Sequence, residues 1–170
     1  MTAATVRARL IAHWKGLSLT VLVLTAAVIA ATVYAIGFRP AQQTDAAAQQ
    51  AAIEAASAAS VALLSYAPDT LDRDLEQARS SMTGEFRTYY GKFTDEVVAP
   101  AVRDRGVTAR AEVLDAALME MYPDSAKVLV FLDQQTSSRD RPEPSSSASS
   151  VVVTLAKSDG SWLISALDPV

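Results

Sequence analysis

The sequence predicts an α+β domain joined to a single apolar span, and three observations carry that prediction. Leu17 to Phe38 is a run of 22 residues without a charge. Between residues 45 and 99, apolar side chains recur at helical steps of three and four. From Val107 onward the repeat shortens to two, the period of a strand. Helices first and antiparallel strands afterwards form an α+β arrangement, with three helices laid on the concave face of a four-stranded sheet.

The span comes first. As a helix, 22 residues reach roughly 33 Å, enough to cross a hydrocarbon core. Ser18, Thr20, Thr25 and Thr32 are its polar members, and hydroxyls can bond back to the preceding turn. Trp14 and Tyr34 lie near its two ends, where amphipathic rings favour the interface. A buried core helix of this length does not suit so small a domain. A cleaved signal peptide fits the basic leader, but its apolar region is about 7–15 residues long, shorter than this one. The sequence therefore divides into a basic tail (1–16), a transmembrane helix (17–38), an Ala-rich juxtamembrane helix (39–68) and the rest of one domain (69–170).

Charge sets the orientation. Arg7, Arg9 and Lys15 precede the span, and Arg39 is the only basic residue between it and Arg73. The positive-inside rule puts the N-terminus in the cytoplasm and the domain outside, across a plasma membrane. The chain carries −4 overall, and the part after residue 16 carries −7. An acidic domain argues against nucleic acid as a partner. The chain has no cysteine, so no disulfide holds the fold.

Ala46 to Ala62 is dominated by alanine, the best helix former, with Thr44 or Asp45 as its cap. Packing on its own domain and pairing with a partner protein both suit this helix. Pro68 breaks it, and a short helix over Leu71–Ser80 turns Leu75 and Ala78 inward. A third helix, from about Glu85 to Ala99, carries the stripe Phe86, Tyr89, Tyr90, Phe93 and Val97. Strand alternation places Ala109, Ala111, Val113, Asp115, Ala117 and Met119 on one face. Ala126–Gln134, Ser150–Lys157 and Trp162–Leu167 complete the sheet. Asp159-Gly160 marks a tight hairpin. Thr136 to Ser149, rich in Ser, Pro and charge, reads as a long mobile loop (136–149).

Chemistry is restricted. His13, the only histidine, precedes the span, so the domain holds neither histidine nor cysteine. Ser-His-Asp and Cys-His nucleophiles and His- or Cys-ligated zinc are excluded, and no phosphate-binding glycine loop occurs. Asp115 and Asp133 fall in otherwise apolar strands and would be general bases only if buried in a cavity. No cofactor and no metal site is expected. Phe86, Tyr90, Phe93, Phe131 and Trp162 are the candidates to line or fill an apolar cavity, with Trp162 and Ile164 both facing inward. Within the span, Val23, Ala27, Ala31 and Ala35 recur every four residues, a small-residue line suited to close packing on another membrane helix.

The order of the pieces resembles the Mce-associated membrane proteins of actinobacteria. The resemblance rests on Leu63-Leu64-Ser65-Tyr66 followed by Asp69, Thr70, Leu71 and Asp72, then Met82-Thr83-Gly84-Glu85-Phe86 and Tyr90. Val128 to Gln134 and the closing Asp159, Gly160, Trp162, Ile164, Ser165, Leu167, Asp168, Pro169 and Val170 complete it; Met82 stands where leucine is usual. The resemblance implies an NTF2-like (cystatin-type) cone of helices on a curved antiparallel sheet. It also implies a non-enzymatic accessory subunit of an Mce-type lipid importer. Its partners would be the lipid bilayer, the permease transmembrane helices and the Mce proteins. A lipid-binding module with an apolar ligand in its cone is the alternative, and an isomerase-like enzyme is a further one.

Overall fold

The computed structural model describes residues 24–34 and 44–170. Residues 24–33 are helical, and the apolar side chains of Leu24, Val28, Ile29 and Val33 are exposed. Residues 17–23 and 35–38 of the expected span, and with them Val23 and Ala35, lie outside the described residues. Among the described residues no helix is long and apolar enough to cross a membrane. The second unit, Thr44–Val170, holds the expected α+β architecture.

Helix α1 spans Ala46–Leu64, and the Asp45 carboxylate caps it by accepting the Ala48 N–H at 2.9 Å. Its buried residues, Ala52, Ala56, Ala59, Ser60 and Leu63, are mostly small, so its backbone lies close against the sheet. It touches all four strands, so it packs on its own domain. Helix α2 (Leu71–Ser80) buries Leu71, Leu75 and Ala78. Arg79, in its last turn, pairs with Asp95 at 2.7 Å.

The expected third helix is longer and less regular. It comprises α3 (Gly84–Phe93), a π-helical turn (Thr94–Val98) and α4 (Ala99–Arg105). Pro100 does not end it. Pro100 has no N–H to give to the carbonyl four residues back, and just before it the Ala99 N–H donates to Thr94 O, five residues back. Tyr90, Thr94, Val98 and Val102 are all buried, in steps of four. In a regular α-helix such a line creeps by about 40° per step. The wider π turn offsets the creep between Thr94 and Val98, and the line passes from the main core at Tyr90 to a second cluster in which Val98 and Val102 meet Leu71 and Leu75.

Strands β1 (Thr108–Met121), β2 (Ser125–Ser137), β3 (Ser145–Ser158) and β4 (Ser161–Pro169) form an antiparallel meander in that order. Alternating residues of β2 and β3 (Val128, Val130, Leu132; Val151, Val153, Leu155) meet Ile164, Met82 and the α1 alanines in the core. Asp159 and Gly160 both adopt positive φ, 49° and 82°, in the two-residue β3–β4 turn. Two register shifts interrupt β1, at Leu114 and at Met119. Each bulge advances the alternation by one residue, so the core-facing set becomes Ala111, Val113, Ala116, Leu118 and Met121. Asp115, Ala117 and Met119 therefore lie on the opposite face to that expected.

The segment 136–149 is not a mobile loop. Its ends pair, Thr136 with Ser145 and Gln134 with Ser147, which leaves a short turn over 138–144. That turn is tied down. The Arg139 N–H donates to Arg105 O at 3.0 Å, and its guanidinium donates to the carbonyls of Arg103 and Asp104 at the end of α4. Gly106 ends α4 at φ 62°, and a Cβ there would come within 2.9 Å of the Arg139 side chain.

Candidate functional site

The five aromatic candidates do not surround one cavity. Tyr90 is buried, and its hydroxyl donates to Leu63 O at 2.6 Å, joining α3 to the end of α1. Phe86 stands 6.3 Å from it, ring to ring, and packs against the core half-exposed. Trp162 is also half-exposed, under the Lys157 ammonium at 5.1 Å. Phe93 and Phe131 are 42% and 41% exposed and face solvent on different elements. The reason is arithmetic: the α3 stripe is two lines, one of them buried. Tyr89, Phe93 and Val97 form the outer line, 65%, 42% and 51% exposed. Phe131 sits between the buried Val130 and Leu132, so the pleat turns it to the other face, opposite Asp115.

The two carboxylates are likewise outside the core. Asp115 is exposed and accepts the Ala116 N–H at 2.8 Å. Asp133 is half-exposed on the outer face, in register with Glu112. Among the described residues no cluster of three or more His, Cys, Asp or Glu is placed to hold a metal.

A concavity lies elsewhere, where α1 and α2 meet the start of β1. It is an open groove of about 540 Å³. Ala58, Val61, Ala62, Ala67 and Ala109 give it apolar walls; Arg73, Asp74, Arg110 and Glu112 give it two charges of each sign. Tyr66 closes one side, where its backbone pairs with Ala109 through two 2.9 Å bonds. Ser65 adds a third link by accepting the Ala111 N–H at 3.0 Å. The groove depends on two segments 43 positions apart, Tyr66 and Ala109, and no local pattern announces it.

Burial pushes the Tyr90 phenol up to about 12, nearby Tyr66 adds to the rise, and Arg79 opposes it. Burial raises Tyr66 as well. A phenol in the unfolded chain ionises near about 10. Both tyrosines therefore contribute stability that is complete below that pH and is lost as pH climbs toward the folded values. Urea midpoints should fall between about pH 10 and about pH 12, and Tyr90→Phe should flatten the fall. An unchanged slope in that variant would mean that Tyr90 ionises as freely in the fold as outside it.

No family model matches the chain. Relatives do. Over 123 residues it is 42% identical to Outer membrane protein Rv1973 of Mycobacterium tuberculosis, covering 72% of this chain and 76% of that protein. The chain belongs to the family of that protein. Uncharacterized protein Rv1362c of the same organism is 55% identical over 133 residues, 78% of this chain. The chain spans 60% of that relative's length.

Solved structures share the fold at low identity. An IcmL-like type IV secretion system protein of Legionella pneumophila superposes with a TM-score of 0.59 at 14% identity, covering 72% of this chain and 91% of that one. The periplasmic domain of DotI gives 0.59 at 14%, covering 71% and 94%. VirB8 of Agrobacterium tumefaciens gives 0.55 at 15%, covering 72% and 92%. The family member described here thus has the NTF2-like architecture of helices on an antiparallel sheet. Its conspicuous surface features are the groove and the outward line Tyr89, Phe93 and Val97.

Proposed function

We propose that the chain is a non-enzymatic accessory subunit of an Mce-type lipid importer, held by one membrane span with its domain outside the cytoplasm. The observation that carries the reading is the division of apolar residues in the domain. Aliphatic side chains close the core, while Tyr89, Phe93 and Val97 stand in line on the surface. An aliphatic core beside an outward apolar line suits binding to another protein better than turnover of a substrate. Three further facts support it. Asp115 and Asp133 face away from the core, so neither sits where an isomerase of this fold would need its base. A relative bears the name of an outer membrane protein, and a protein of the same fold is named as a type IV secretion system protein. The Mce assignment rests on the order of sequence motifs from Leu63 to Val170.

The test is affinity purification of the full chain from its own membranes in mild detergent. Permease and Mce proteins are expected to accompany it. Ala31→Leu should weaken the association if the small-residue line meets the permease; Phe93→Ser should weaken it if the outer line does. Absence of permease and Mce proteins from the purified complex would reject the assignment. The groove favours a second reading, an amphipathic ligand held outside the cone, because its volume is that of small-molecule sites.

A further inference from the structure

The sheet manages its edges unequally. On β1, Ser65 and Tyr66 cover Ala109 to Ala111, and two bulges break the rest. On β4, the backbone of Ser81 and Thr83 brackets Ile164 at 2.9 Å on each side. β4 reaches β3 only from Ser150 onward, where the Val170 N–H donates to Ser150 O. Ser145 to Ser149 of β3 therefore have β2 on one side and no described residue on the other. All five are exposed. They carry no charge, no proline and no bulge, three of the devices that blunt an edge.

We propose that this edge pairs with the same edge of a second copy of the chain. Because Ser150 O points toward β4, the alternation of an antiparallel ladder turns the N–H and C=O of Ala148 and Ser146 to the same open side. An antiparallel twofold centred on Ser147 sets Ser146 of one copy opposite Ala148 of the other. Both such pairs are hydrogen-bonded pairs, so four bonds form and no edge group is left over. Ser147 then faces Ser147 in a non-hydrogen-bonded pair, with Cα atoms about 4.5 Å apart. The gap admits a short strand, since Pro144 has no N–H at one end and Ser150 is already bonded at the other. The edge's own sequence is such a strand. Its small uncharged residues place no like charges opposite one another. The two sheets join as β1-β2-β3-β3-β2-β1, an isologous contact that closes on itself.

Cysteine cross-linking tests this in the full chain, which has no cysteine of its own. Ser147→Cys should form a disulfide-linked dimer on mild oxidation, because the paired Cα distance lies within disulfide reach. Asp159→Cys, at the far β3–β4 turn, is the control for random collision. Ala148→Pro removes an N–H that makes no bond within the chain, so the fold keeps its melting temperature. With one bond lost from each copy, cross-linking in the double variant Ser147→Cys/Ala148→Pro should fall roughly tenfold or more. Cross-linking no greater than that of Asp159→Cys overturns the proposal. So does cross-linking that Ala148→Pro leaves intact, which would place the contact outside the strand. Capture of a different protein by the Ser147→Cys variant would also overturn it, in favour of a foreign strand.

Discussion

Replacing Ile164 by alanine is expected to cost the folded domain about 2–5 kcal/mol, the range for emptying a closed aliphatic site. Ile164 is completely buried and opposite Leu155, with its own N–H and carbonyl bonded to the Ser81–Thr83 segment. The surrounding backbone is thus fixed from two sides and has little freedom to collapse into the gap. Trp162 is larger and looks more important in the sequence, where a loss of about 3–5 kcal/mol is the natural expectation for an aromatic core residue. In the structure one side of the ring meets the core, and Lys157 rather than another apolar group lies over it. Trp162→Ala is therefore expected to destabilise by less than Ile164→Ala. Urea unfolding of both variants gives the order directly. A larger loss for the tryptophan variant would show that its ring is sealed by something beyond the described residues.

The second large effect is expected from adding atoms rather than removing them. Ala56→Leu should destabilise by about 1–3 kcal/mol, because Ala56 has no exposed surface and α1 rests on the sheet at that point. The added side chain has to lift α1, and α1 carries the carbonyl of Leu63 that Tyr90 donates to. The same change at Ala51, on the solvent side of the helix, should stay within about 0.5 kcal/mol. Thermal unfolding of the pair measures the difference. Equal melting temperatures would mean that α1 is loosely seated and that its alanines reflect helix propensity alone.

What can be read in the residues depends on whether the controlling interaction is local. The Asp45 cap, the Asp159-Gly160 turn and the burial of Leu75 and Ala78 follow from neighbours within one turn, and each stands in the structure as expected. The β1 bulges do not follow from β1. Nothing in Glu112 to Glu120 marks where an extra residue is inserted, since the choice depends on which side chains β2 and α1 can accept. Simple alternation misplaces Asp115 for that reason. Pro100 is legible as a breaker, but its effect is a π turn rather than a stop, because the buried line through Thr94, Val98 and Val102 holds the helix on either side. The serines after Glu143 look like loop by composition, and they become strand because Gln134, Gln135 and Thr136 offer them a ladder. The helical aromatic candidates divide because one spacing of four describes two neighbouring lines on a helix, and only one of them faces the core; Phe131 is turned outward by the pleat of its strand.

The Arg139 clasp has a consequence for the cost of association. A two-stranded arm ending in a free turn sweeps through many orientations, and a partner strand has to suppress that motion before any ladder bond forms. Here the turn is fastened to the carbonyls of α4, so the arm's far end is already immobilised. The entropy of straightening the edge is lost during folding of the domain and not when a strand arrives. In the proposed pairing the clasp sets affinity through readiness: its release would leave the sequence of the edge unchanged, free the arm to move, and weaken the pairing.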